Sequence, residues 1–129
     1  PTGVQGNISI DAWNTIAFEN VLVDTGSNFA SNTFTAPVTG TYALSGAIYL
    51  QSLDSAATSY DVQIHTSNDS YSIWHIVPAQ ILSADTAAYA FCGAVFADMD
   101  AGDTAIIRIY QEGGTVQTNI NISSVFTGH

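Results

Sequence analysis

Apolar residues recur at every second position along most of this chain, the period of a strand that turns one face inward. From Tyr42 to Leu50, the residues Tyr42, Leu44, Gly46, Ile48 and Leu50 share one face, and Ala43, Ser45, Ala47 and Tyr49 share the other. Neither face carries a charge, which predicts a strand covered on both sides. Upstream, Phe34-Thr35-Ala36-Pro37-Val38-Thr39-Gly40-Thr41-Tyr42 reads as a strand end, a corner and a new strand. Pro37 brings a fixed φ and no N–H, and Gly40 is expected to take backbone angles closed to other residues.

The same pattern continues on both sides of this corner. Ile8 and Ile10 alternate with polar residues, Trp13 to Phe18 does so more loosely, and Val21-Leu22-Val23 leads into the turn cluster Asp24-Thr25-Gly26-Ser27-Asn28. Ser59 to Val77 predicts a hairpin around Ser67-Asn68-Asp69. In that register Tyr60, Val62, Ile64, Trp74 and Ile76 face inward, and Asp61, Gln63, His65, Tyr71 and His75 face outward. Tyr89 to Met99 is a second long strand, free of charge until Asp98, and Asp98 to Asp103 turns the chain. Thr104 to Gln111, a Gly113-Gly114 turn and Thr118 to Phe126 complete it. Ala84 to Ala90 is the best helix candidate by composition, but it runs straight into the second long strand, and no capped segment of helical period exists. About ten strands with regular turns predict one all-β domain over residues 1–129, an antiparallel sandwich or jelly roll.

Charge narrows the function. The chain has no Lys, Arg108 is its single Arg, and eleven carboxylates leave a net charge of −10. Neutralising nucleic-acid phosphates, or docking on an anionic membrane surface, takes several cations on one face, and this chain has none to group. No apolar run is long enough to insert into a membrane. Cys92 is alone, so no intrachain disulfide forms, and its neighbours Phe91 and Gly93 suit a small packing residue. The first residues carry neither the basic nor the apolar part of a signal peptide, and there is no initiator Met; the chain reads as a piece of a longer one.

Candidate chemistry is sparse. No nucleophile elbow, His-Glu-x-x-His or glycine-rich phosphate loop occurs, and the loop aspartates have no partner at glycosidase spacing, so no catalytic residue is assigned. Asp98, Asp100 and Asp103 form the densest carboxylate cluster and are calcium candidates, since that ion takes several oxygen ligands from one short segment. The segment lacks the later Glu of a calcium loop and doubles as a turn. Asp61, His65, Tyr71 and His75 share a predicted sheet face and fit zinc or a ligand-binding patch; any solvated sheet face carries such cross-strand polar pairs as well. Asn7, Asn68 and Asn121 begin formal glycosylation sequons, the last of them in a predicted core strand.

Three separated pieces resemble the globular head of complement C1q and its tumour-necrosis-factor-like relatives. Ile16 to Val21 followed by Asn32 to Tyr42 is similar to that family's strand and its Phe-x-x-Pro-x-x-Gly-x-Tyr corner. Met99-Asp100-Ala101-Gly102-Asp103 resembles its Leu-x-x-Gly-Asp turn, and Ser124-Val125-Phe126-Thr127-Gly128 its closing Ser-x-Phe-Ser-Gly. The family's apolar tail is missing after Gly128, and Ser52 to Ala88 matches nothing in particular. The resemblance implies a ten-stranded jelly roll assembled as a homotrimer, the head of a longer fibrous chain. Carried over by position, Ala43, Ala47, Tyr49, Cys92, Ala94, Phe96, Ile120, Ile122 and Phe126 face the three-fold axis. Family members elsewhere bind calcium near the trimer apex, so calcium is the one cofactor entertained.

Two function classes follow. One is a non-enzymatic recognition head that binds a cell-surface glycan or protein receptor. The Lys-free, Ser/Thr/Asn-rich composition looks like a phage or bacterial surface fibre, with an extracellular or virion-surface location. The other is a structural trimerisation, capping or capsid-decoration module without a receptor. Exposed aromatics converging near Ser52–Tyr60 or Tyr71–His75 favour recognition, and smooth polar tips favour structure.

Overall fold

The structure is a computed structural model that describes residues 6–16, 29–30, 33–78, 84, 86–121 and 125–128. The alternation becomes ten strands among these residues: β1 (Trp13–Thr15), β2 (Phe29–Ala30), β3 (Thr33–Thr35), β4 (Gly40–Leu53), β5 (Ser59–Thr66), β6 (Ser70–Ile76), β7 (Thr86–Met99), β8 (Thr104–Glu112), β9 (Asn119–Ile120) and β10 (Val125–Gly128). They form two antiparallel sheets. One runs β2-β3-β8-β5-β6, with β1 also paired to β8; the other runs β10-β4-β7, with β9 also paired to β4. The stretch weighed as a helix instead enters β7 at Thr86. Val21 to Val23 and the Asp24 to Asn28 cluster lie outside the described residues.

The core lies between the sheets. Tyr42, Leu44, Ile48, Leu50 and Leu53 of β4 are buried against Tyr60, Val62 and Ile64 of β5 and Ala105, Ile107 and Ile109 of β8. On the β6 side, Trp74 stacks on Phe91 with ring centroids 4.3 Å apart and meets Tyr89 at 5.5 Å. The two sheets come close at Gly93, which pairs with Gly46 across β4 and β7. A Cβ at Gly93 would lie 2.8 Å from the Cβ of Ile73, so the bare backbone lets β6 press onto β7.

The corner at Pro37 docks on the turn at Asp103, joining two of the sequence landmarks. Ala36 N–H donates to the Asp103 carbonyl and Gly102 N–H to the Ala36 carbonyl, both at 2.8 Å. Ala101 N–H reaches the Thr39 hydroxyl at 3.1 Å, and the Tyr42 hydroxyl bonds back to the Val38 backbone. Gly102, at φ 90°, holds the left-handed conformation the turn requires. Gly40 does not take a positive φ: it opens β4 in ordinary extended backbone with open space beside it.

The register departs from the sequence reading at two positions. A bulge between Val62 and Gln63 leaves Asp61 opposite His75 but sets Ile64 opposite Tyr71. The extra residue reverses the alternation of β6, so Tyr71 packs against the core and does not face outward. Ile120 pairs with the buried Leu50 and is itself buried, so it belongs to the core and not to the outer face of its sheet.

Candidate functional site

Two surfaces stand apart from an ordinary solvated exterior. The first is the outer face of β4 and β7. Their register sets Ala43 opposite Phe96, Ser45 opposite Ala94, Ala47 opposite Cys92, Tyr49 opposite Ala90 and Gln51 opposite Ala88. Phe96 is 78% exposed and Tyr49 39%, and Ala90, Cys92 and Ala94 are exposed around them. Cys92 is therefore a surface residue of the single chain and not a buried packing residue. A depression of about 330 Å³ crosses this face between Ala47, Tyr49, Ala90 and Cys92. Residues Ala43, Ala47, Tyr49, Cys92, Ala94 and Phe96, which the family resemblance sets towards a three-fold axis, lie together on this face; Ile120 does not join them. Ile122 lies outside the described residues, and of Phe126 only the backbone pairing with Gly46 is described.

The second surface is a groove on the outer face of the other sheet. Pairing lines up Trp13 of β1, Tyr110 of β8, Asp61 of β5 and His75 of β6 in one row across four strands. Directly paired residues project to the same side, so all four side chains meet on the outer face. Ser59 and Glu112 form the next row, and the six residues line a cavity of about 340 Å³. Trp13 is 39% exposed and meets Tyr110 edge-on at 5.2 Å. Asp61 accepts a hydrogen bond from the Ser72 hydroxyl at 2.8 Å, and Glu112 one from the Ser59 hydroxyl at 3.2 Å.

Arg108 stands one side-chain step along β8 from this row. Its guanidinium lies 4.2 Å from the centroid of the Trp13 ring and donates to the side-chain amide oxygen of Gln63, Oε1, at 3.0 Å. Beyond it, His65 shares a hydrogen bond of 2.7 Å with Ser70. Burial, and after it the charge of Arg108, lower the His65 pKa from its ordinary value.

The patch Asp61, His65, Tyr71 and His75 therefore divides. Asp61 and His75 are opposite one another, Tyr71 points into the core, and His65 lies four residues along β5 from Asp61, about 13 Å at strand rise. Among the described residues no three His, Cys, Asp or Glu side chains gather as a metal site. The Asp98, Asp100 and Asp103 carboxylates separate as well. Asp98 accepts from the Thr41 hydroxyl at 2.7 Å, while Asp103 caps the turn through Asp100 N–H at 2.8 Å and takes the Asn68 amide at 2.7 Å. Sequence reading found Asp61 and His75 but missed Trp13, Tyr110 and Glu112. Tyr110 and Glu112 reach the groove through β8 pairing with β5, and Trp13 through β1 pairing with β8, a contact between residues almost a hundred positions apart for which a strand of three residues gives no sign.

A comparison with curated protein sequences gives no match. The globular domain of zebrafish complement 1qA protein superposes with a TM-score of 0.56 at 12% identity, over 98% of this chain and 94% of that one, a likeness of fold alone. The C1q domain family model matches residues 3–129. The chain belongs to the C1q domain family.

Proposed function

We propose that this chain is a non-enzymatic recognition head: three copies join through their β4–β7 faces, and the outer surface of each binds a cell-surface glycan or protein receptor. C1q domains typically assemble as trimers, bind ligands and act as recognition or structural domains outside the cell. No helix among the described residues is long and apolar enough to cross a membrane. The observation that carries the reading is the apolar row from Ala43 to Phe96. Soluble monomers avoid a contiguous apolar patch of this kind, and a three-fold contact between identical copies removes it from water. The Trp13 groove favours recognition over a purely structural module, since it sets an exposed Trp and a half-buried Tyr beside hydrogen-bonding groups on the face directed away from the proposed axis. The Lys-free, Ser/Thr/Asn-rich composition leads us to assign the head to a virion fibre or another surface fibre.

Sedimentation equilibrium at micromolar concentration tests the assembly. We expect three times the chain mass of 13.6 kDa, and a species of 13.6 kDa overturns the trimer. A glycan array and a panel of intact cells, each probed with and without chelator, test recognition. Retention on either supports the receptor role, retention lost to chelator adds calcium to it, and retention on neither under both conditions overturns it.

A further inference from the structure

The geometry points to the groove between Trp13 and His75 as a binding site for an uncharged saccharide. This inference deepens the recognition reading by naming one ligand class and one location. Hydrogen-bonding groups of both kinds line the groove beside aromatic rings. Asp61 and Glu112 each commit one carboxylate oxygen to a serine of the same sheet, which fixes the side chain and leaves the other oxygen to accept from a hydroxyl. His75 and the Tyr110 hydroxyl can donate as well as accept. The exposed part of Trp13 supplies a flat apolar wall for the C–H face of a pyranose ring. A volume of about 340 Å³ suits one or two sugar rings, at the small end of ligand sites.

The charges decide among ligand classes. An anion would face Asp61 and Glu112, and the chain's only Arg is turned onto Gln63 and Trp13. A cation would be drawn by the carboxylates, but the positive charge of Arg108, 4.2 Å from the centroid of the Trp13 ring, repels a second cation at that ring and leaves its remaining exposed surface to an uncharged ligand. A neutral ligand with many hydroxyls meets neither obstacle. Divalent metal does not fit either, because the acidic and imidazole groups are not gathered to coordination distance.

The test is ligand-observed saturation-transfer NMR on the whole chain, with four probe sets: methyl glycosides of neutral hexoses, methyl glycosides of N-acetylhexosamines, sialyllactose, and a trilysine peptide. We expect transfer to at least one neutral glycoside, unchanged between about 50 and 500 mM salt, over which the screening length falls roughly threefold, and at least tenfold weaker in Glu112→Gln and in Trp13→Ala. Glu112→Gln keeps shape and strand pairing, so its loss reports on the groove even if Trp13→Ala perturbs β1. Transfer to no neutral glycoside, transfer only to sialyllactose or only to salt-sensitive trilysine, or equal transfer in both variants overturns the proposal. Retention on glycans or cells that survives Glu112→Gln removes the saccharide from this groove and leaves the recognition head standing.

Discussion

His65 and Arg108 show how one side chain carries the electrostatics of the outer face. The chain's only guanidinium touches Gln63, Ser70 and Trp13, and it lies close enough to His65 to oppose its protonation. Burial is the larger cause and Arg108 the second. A His whose folded pKa is depressed favours the unfolded chain in acid. The contribution to stability is whole above the ordinary value of about 6.5, falls as pH drops below it, and levels off once folded His65 is protonated. The side chain is partly exposed, so the fall is small. An NMR titration of the His65 ring should place its midpoint below that of a free His, and Arg108→Gln should raise it only partway, leaving the share due to burial. A midpoint unmoved by Arg108→Gln would remove the charge of Arg108 from the account. Residues at this scale were legible where alternation ran undisturbed: Asp61 and His75 face each other as their spacing predicts. Tyr71 was not, because a bulge adds one residue to one strand without leaving a composition mark, and one residue reverses a face.

At the scale of elements, β4 and β7 were the readable strands and β9 the deceptive one. Each long strand alternates for many residues, which fixes its phase; Ile120 is set towards the axis by resemblance alone, and a strand of two residues has no alternation to show that it is buried instead. The short β1 was harder still, since its three residues are largely exposed and its role comes from pairing with β8. Glycines give the element scale its sharpest test. Gly93→Ala would drive a methyl group against Ile73, and overpacking of this kind costs about 1–3 kcal/mol, more than the roughly 0.4–1 kcal/mol gained from a stiffer unfolded chain. Gly40→Ala meets open space at an ordinary φ and should gain that smaller amount. Urea midpoints of the two variants are expected to move in opposite directions. A Gly93→Ala midpoint at or above that of the unchanged chain would mean the sheets are not in contact there.

For the whole molecule, the decisive quantity is what covers the β4–β7 face. Phe96 stands at its most exposed point, opposite Ala43. Phe96→Asp adds a charge where identical copies would meet, and desolvating three like charges about one axis costs several kcal/mol. We expect that variant to sediment at the monomer mass while keeping its β-sheet circular dichroism. Retention of the trimer would place the contact on another face. The groove lies on the opposite sheet, so Phe96→Asp should leave saccharide binding per chain unchanged and weaken only retention on a multivalent surface.

The long pairing of β4 with β7 also sets an order of events in time. No hairpin joins these strands; they zip from Leu53 and Thr86 to Gly40 and Met99, with the whole of β5 and β6 threaded between. Such non-local pairing forms late, because the chain must close a long loop before any of its contacts are made. The apolar row that three copies would share does not exist as a flat surface until that step is complete. In the proposed trimer, association therefore waits for folding, and a chain caught before the zipper closes offers its neighbours bare strand edges in place of a finished face.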